Sequence, residues 1–112
     1  MIDNYLNSKL EEIHEACKIY NVVNLYAFGS IVDGRFKKGE SDIDLMVEFD
    51  SKKFSKKENS KHLLKLWIEL QRILDAKVDL ITNENIKGEY FKKYLELYKK
   101  NIYRKNTEAT NR

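Results

Sequence analysis

Residues 42–49, Asp-Ile-Asp-Leu-Met-Val-Glu-Phe, alternate with a period of two: Ile43, Leu45, Val47 and Phe49 on one side, Asp42, Asp44, Met46 and Glu48 on the other. This is the pattern of a β-strand with one apolar face, and such a face must be covered by helices or a second sheet. The two aspartates sit two residues apart on the opposite face and point the same way, with Cα atoms about 6–7 Å apart. Carboxylates set into a run that otherwise belongs to a core mark a site rather than a scaffold.

Around this strand the chain divides into short periodic segments. Ile2, Leu6, Leu10, Ile13, Cys17 and Tyr20 recur every three or four residues, which predicts an amphipathic first helix. Val22–Phe28 is rich in β-branched and aromatic residues and stops at Gly29, as a strand would. Three of the four glycines, Gly29, Gly34 and Gly39, fall in the connection that follows. Residues 51–59 are polar and rich in lysine and read as a mobile surface loop. Ser60 is placed to cap a helix with the stripe Leu63, Leu66, Trp67, Leu70, Ile73 and Leu74. Lys77–Thr82 reads as a third strand, and after Gly88 a last helix carries Phe91, Tyr94, Leu95, Tyr98 and Ile102. The order α-β-α-β-α-β-α, with the second helix no more than a turn near Ser30, predicts an α/β (α+β) fold in which a small mixed sheet is backed by helices. One domain over residues 1–103 and a frayed tail over 104–112 are expected.

At 112 residues the chain is large enough for one core and too short for a second, substrate-binding domain. No apolar run approaches the roughly 20 residues that span a bilayer, so no membrane partner is expected. No basic-then-apolar segment resembling a secretory signal opens the chain, and Cys17 is the only cysteine. Both features predict a reducing, cytoplasmic setting. A net charge of +3 is too small to argue for nucleic acid as a direct substrate. His14 and His62 have no partner at ligand spacing. Cys17 and Trp67 read as core. Tyr90, Tyr94, Tyr98 and Tyr103 are expected to divide between packing and a protein interface.

Asp42 and Asp44 lie close enough for a divalent ion to bridge them, and hard carboxylate oxygens suit Mg²⁺ or Mn²⁺ better than zinc. Asp79 is a third carboxylate in an apolar strand, and beside 42–49 it would complete a pair of metal sites. Gly29 allows backbone N–H groups to approach an anion, and the Ser30 hydroxyl donates to a phosphate oxygen. Arg35, Lys37 and Lys38 follow in the same connection and would neutralise a triphosphate. Alone, a Gly-Ser pair is a turn and an Asp-x-Asp is an edge-strand device; their joint occurrence points to chemistry on a nucleotide.

The run Phe28-Gly29-Ser30, Gly34, Ser41-Asp42-Ile43-Asp44-Leu45-Met46-Val47 and Val78-Asp79-Leu80 resembles the minimal nucleotidyltransferases (MNT) of the DNA polymerase beta superfamily. The resemblance implies a mixed sheet with the metal-binding aspartates on adjacent strands. It assigns Asp42, Asp44 and Asp79 to two Mg²⁺ ions, with Mn²⁺ a substitute, and Gly29 and Ser30 to the nucleoside triphosphate. Small members pair with a helical HEPN ribonuclease toxin and, as its antitoxin, transfer AMP from ATP to a tyrosine hydroxyl on it. A non-catalytic toxin-binding role and transfer to a small molecule, as in antibiotic-modifying relatives, are the alternatives. Two departures from the family pattern stand out. The Ile31–Ser41 connection is one residue longer than usual, and Ile31-Val32-Asp33 replaces the arginine-bearing positions after the serine. Arg35 is the nearest substitute.

Overall fold

The computed structural model describes residues 2–50 and 52–105. Two helices, α1 (Asn4–Asn7) and α2 (Leu10–Ile19), precede strand β1 (Val22–Phe28), the single turn α3 (Ser30–Asp33) and strand β2 (Ile43–Phe49). Helix α4 (Lys56–Leu74) leads to strand β3 (Val78–Thr82), a 3₁₀ turn (Asn83–Asn85), helix α5 (Glu89–Tyr98) and strand β4 (Lys100–Arg104). The four strands form one mixed sheet in the order β3-β2-β1-β4. β1 runs antiparallel to both β2 and β4, and β2 runs parallel to β3. A parallel pair needs a crossover of a dozen or more residues, which α4 supplies.

The period-two pattern of β2 divides the interior into two cores. Ile43, Leu45 and Val47 pack with Leu25 and Ala27 of β1 against Ile13 and Cys17 of α2 and Leu66, Leu70 and Leu74 of α4. On the other face Met46 packs with Phe28 and Leu95 of α5. The acidic side of β2 thus shares its face with α5.

Three expectations are corrected. The predicted first helix is two: Asp3 caps α1 through Tyr5 N–H (2.8 Å), and Ser8 ends it by donating its hydroxyl to the Tyr5 carbonyl (2.6 Å). The second concerns α4, which begins at Lys56, inside the predicted loop, because Ser55 and Glu58 form a reciprocal capping box. Ser60 lies within that helix and bonds back to the Lys56 carbonyl. Finally, the last helix stops at Tyr98. Ile102 and Tyr103 are instead buried in β4, which pairs with the edge of β1 and satisfies backbone groups there that would otherwise be left to water. The strand reaches Arg104, Lys105 N–H bonds the Val23 carbonyl (2.8 Å), and the remainder of the expected tail, residues 106–112, lies outside the described residues.

Cys17 is fully buried, whereas Trp67 is 37% exposed and donates its indole N–H to the Val78 carbonyl at 2.7 Å. Among the described residues no helix is long and apolar enough to cross a membrane.

Candidate active site

Strand register brings the predicted carboxylates together. The parallel β2–β3 pairing sets Asp44 opposite Asp79, and the antiparallel β1–β2 pairing sets Phe28 opposite Asp44. The chain therefore leaves β1 at Gly29 directly beside the Asp44 carboxylate. Gly29 holds φ +74° and ψ −147°, and a Cβ there would lie 2.4 Å from Asp44 Oδ2. Only glycine fits both the backbone conformation and the space. Ser30 opens the α3 turn, which closes through a bond from Val32 N–H to the Gly29 carbonyl (3.1 Å).

The cluster is short of positive charge. Burial pushes the Asp44 carboxyl up to about 6, helped by the negative charge of Asp79, by the hydrogen bond the two carboxyls share and by the charge of Asp42. Asp42 is partly exposed, with Lys77 Nζ 3.6 Å from its Oδ2, and Asp79 is exposed on the edge strand β3. Repulsion among neighbouring carboxylates is of the kind a divalent cation relieves. The donors are all carboxylate oxygens, the set a hard cation prefers. In donor chemistry the set is of the kind Mg²⁺ takes. Among the described residues no group of three or more histidine, cysteine, aspartate or glutamate side chains is placed so that it could hold a metal ion.

Two of the basic residues that follow Ser30 have partners within the chain. Arg35 Nε and Nη2 both bond Asp33 Oδ2, at 2.8 and 2.6 Å, and its backbone N–H bonds Asp33 Oδ1. That pairing holds the exposed Asp33 carboxyl below its ordinary range. The charge of Arg35 still reaches Asp44 and lowers its pKa slightly. Lys38 donates to the Asp75 carbonyl at 2.6 Å and sits over the Tyr5 ring.

A profile of the nucleotidyltransferase domain family matches residues 10–105. The chain belongs to that family. A protein of Methanocaldococcus jannaschii that bears the name "Putative protein adenylyltransferase MJ1379" is 42% identical to this nucleotidyltransferase over 77 residues, covering 69% of the chain and 73% of the relative. Among solved structures, a chain of a toxin-antitoxin crystallised with AMP-PNP matches with a TM-score of 0.62 at 19% identity, over 88% of this chain and 76% of that one. A chain of the complex between tri-AMPylated Shewanella oneidensis HEPN toxin and MNT antitoxin matches with a TM-score of 0.53 at 17% identity, over 93% and 76%. At these identities the two structures establish a shared fold.

Two residues in contact with these candidates were not visible in the sequence. Tyr94, on α5, accepts the Gly29 N–H at its hydroxyl (3.0 Å), and Lys77 pairs with Asp42. Helical spacing placed Tyr94 on the packing face of a helix, but no local pattern connects residue 94 to residue 29. Lys77 precedes β3 by one residue, so once β3 is set beside β2 its closeness to Asp42 follows.

Proposed function

We propose that this nucleotidyltransferase transfers AMP from ATP to a hydroxyl of a partner protein, with Mg²⁺ as cofactor, and that the partner is a HEPN-type toxin for which the chain is the antitoxin. The observation that carries the proposal is the meeting of Asp44, Asp79 and Gly29 across three strands, which sets paired carboxylates against a glycine turn that no other residue could form. The name of the M. jannaschii relative supports protein as the acceptor class. The fold shared with chains of an AMP-PNP-bound toxin-antitoxin and of an AMPylated HEPN toxin complex supports the nucleotide and the partner.

Asp42, Asp44 and Asp79 would hold the metal ions, which when bound supply the charge that offsets the carboxylates and the phosphate oxygens in the transition state. The acceptor oxygen forms a bond to the α-phosphorus as the bond from that phosphorus to the bridging oxygen breaks. The electron pair leaves with pyrophosphate, and the hydroxyl proton passes to solvent. Asp79, exposed on the edge strand, is the carboxylate that an incoming hydroxyl reaches first and it assists that proton's departure. Gly29 and Ser30 position the phosphate chain so that the leaving oxygen lies opposite the attacking one.

Asp42→Asn tests the proposal. With ATP labelled at the α-phosphate and a HEPN-type partner, the variant is expected to lose label transfer while its melting midpoint stays within a few degrees of the parent, since Asp42 is partly exposed. Transfer at the parent rate would refute the role of Asp42.

A further inference from the structure

Helix α4 turns an apolar stripe towards solvent. Leu64 is 57% exposed and Ile68 55%, and they lie one helical turn apart on the face opposite Leu66, Leu70 and Ile73, which fill the core. Trp67, bonded to the Val78 carbonyl of β3, flanks them, and a cavity of about 260 Å³ opens there between Ser60, Leu63, Leu64, Trp67 and Leu80. Single exposed apolar side chains are ordinary on a protein surface. Three at adjoining positions of one helix, beside a cavity, form a patch.

The patch is the centre of a longer seam. Lys57, Lys61, Leu64, Ile68, Gln71 and Asp75 follow one another at alternate steps of four and three residues, the spacing of a two-helix contact. Charge is graded along it. Residues 56–65 hold four lysines and one glutamate, and residues 66–75 hold one arginine with Glu69 and Asp75. Among the described residues Lys57, Lys61 and Lys65 enter no ion pair, Arg72 is taken up by Glu69, and Asp75 has Lys38 at 3.8 Å. Lysines near the start of a helix oppose its dipole, so nothing within α4 favours them there. A second α4 turned end over end does, because it sets Lys57 against Asp75, Lys61 against Gln71 and Leu64 against Ile68. It also brings the negative end of its own dipole to the lysines. A parallel pair would set lysine against lysine. An acidic helix of another protein would suit Lys57 and Lys61 but would meet Asp75 with like charge. The seam is complementary to itself, as a two-fold contact requires.

We infer that α4 is the contact of a two-fold dimer of this chain, with the helices antiparallel and Ile68 of each copy set on Leu64 of the other at the mouth of the cavity. Leu80 belongs to the core face of β3, so the neighbouring Asp79 points to the opposite face, where Ile81 packs with Met46. The dimer therefore leaves both carboxylate sites uncovered, and the inference does not depend on what they transfer.

Analytical ultracentrifugation of the whole chain tests it. The chain is expected to pass from monomer to dimer between about 1 µM and 1 mM. Ile68→Lys is expected to weaken association more than about tenfold and to keep the parent's melting midpoint in dilute solution, since the side chain is exposed. The double variant Lys57→Cys/Asp75→Cys tests the register, because the two positions lie about 27 Å apart within one helix and meet only between copies. Oxidised glutathione is expected to lock it as a covalent dimer through two disulfides and to leave Lys57→Cys alone monomeric; Cys17 is fully buried and does not compete. A parent chain still monomeric at about 1 mM, parent association in Ile68→Lys, or equal cross-linking by Lys57→Cys alone would overturn the inference. So would a monomeric parent whose Ile68→Lys variant loses a HEPN-type partner, since the face would then belong to that partner.

Discussion

Replacing Gly29 by alanine strains the site at the one point where backbone and carboxylate meet. At φ +74° and ψ −147° a residue with a Cβ occupies a region that is essentially glycine-only, at a cost of about 1–3 kcal/mol. The added Cβ would also stand 2.4 Å from Asp44 Oδ2, and so the carboxylate must rotate away from its bond with Asp79. The two effects together are expected to lower stability by about 2–3 kcal/mol, a fall in the melting midpoint of roughly 8–15 °C for a domain of this size. Gly34, at φ +89° with open space around its Cβ position, gives the control: Gly34→Ala carries the backbone cost alone, about 1 kcal/mol. Asp44→Ala removes the obstructing oxygen, so Gly29→Ala should cost about 1 kcal/mol less in that background than in the parent. Melting curves of the four single and double variants measure the difference. If Gly29→Ala costs no more than Gly34→Ala, and the Asp44→Ala background changes nothing, the close packing of turn and carboxylate is refuted.

Two further predictions follow from titration and burial. Asp44, raised from 3.8 to about 6 by burial and its carboxylate neighbours, keeps a proton in the folded state that the unfolded chain has lost. Its contribution is therefore present below about pH 4 and is lost as pH rises towards 6 in metal-free protein. The full shift corresponds to about 3 kcal/mol, which solvent screening at this half-exposed carboxyl reduces to about 1 kcal/mol. Asp44→Asn should thus stabilise the metal-free chain by that amount at pH 7 and by much less at pH 4. Equal gains at both pH values in denaturant titrations would contradict the assignment. Cys17 is fully buried, and burial pushes its thiol up to about 12. It should stay unmodified by a thiol reagent at pH 8 until denaturant unfolds the chain; stoichiometric labelling of native protein would show that the α2 packing is wrong.

The carboxylate half of the site was legible in the sequence because a strand writes its geometry into a period of two. Asp42 and Asp44 had to share a face, and once Lys77–Thr82 was read as a strand, Asp79 needed only register to meet them. Gly29 was legible for a related reason, as a glycine closing an apolar strand. Strands β1 to β3 and the α4 stripe were equally open to reading. The other half was hidden because its signals are not local. Strand β4 is five residues long, and Ile102 falls four residues after Tyr98, so helical spacing runs on through the boundary and masks it. The edge of β1 decides the matter, and no window of sequence around residue 102 contains that edge.

The same hidden strand also decides what surrounds Gly29. With the sheet ending at β1, Gly29 would sit at an open margin and Arg35 would be the natural counter-ion. With β4 beside β1, Lys100 enters the sheet opposite Ala27, and α5, which must return the chain to that edge, carries Tyr94 up to the Gly29 N–H. Topology thus brings to the glycine turn a phenol that no local pattern connects to it.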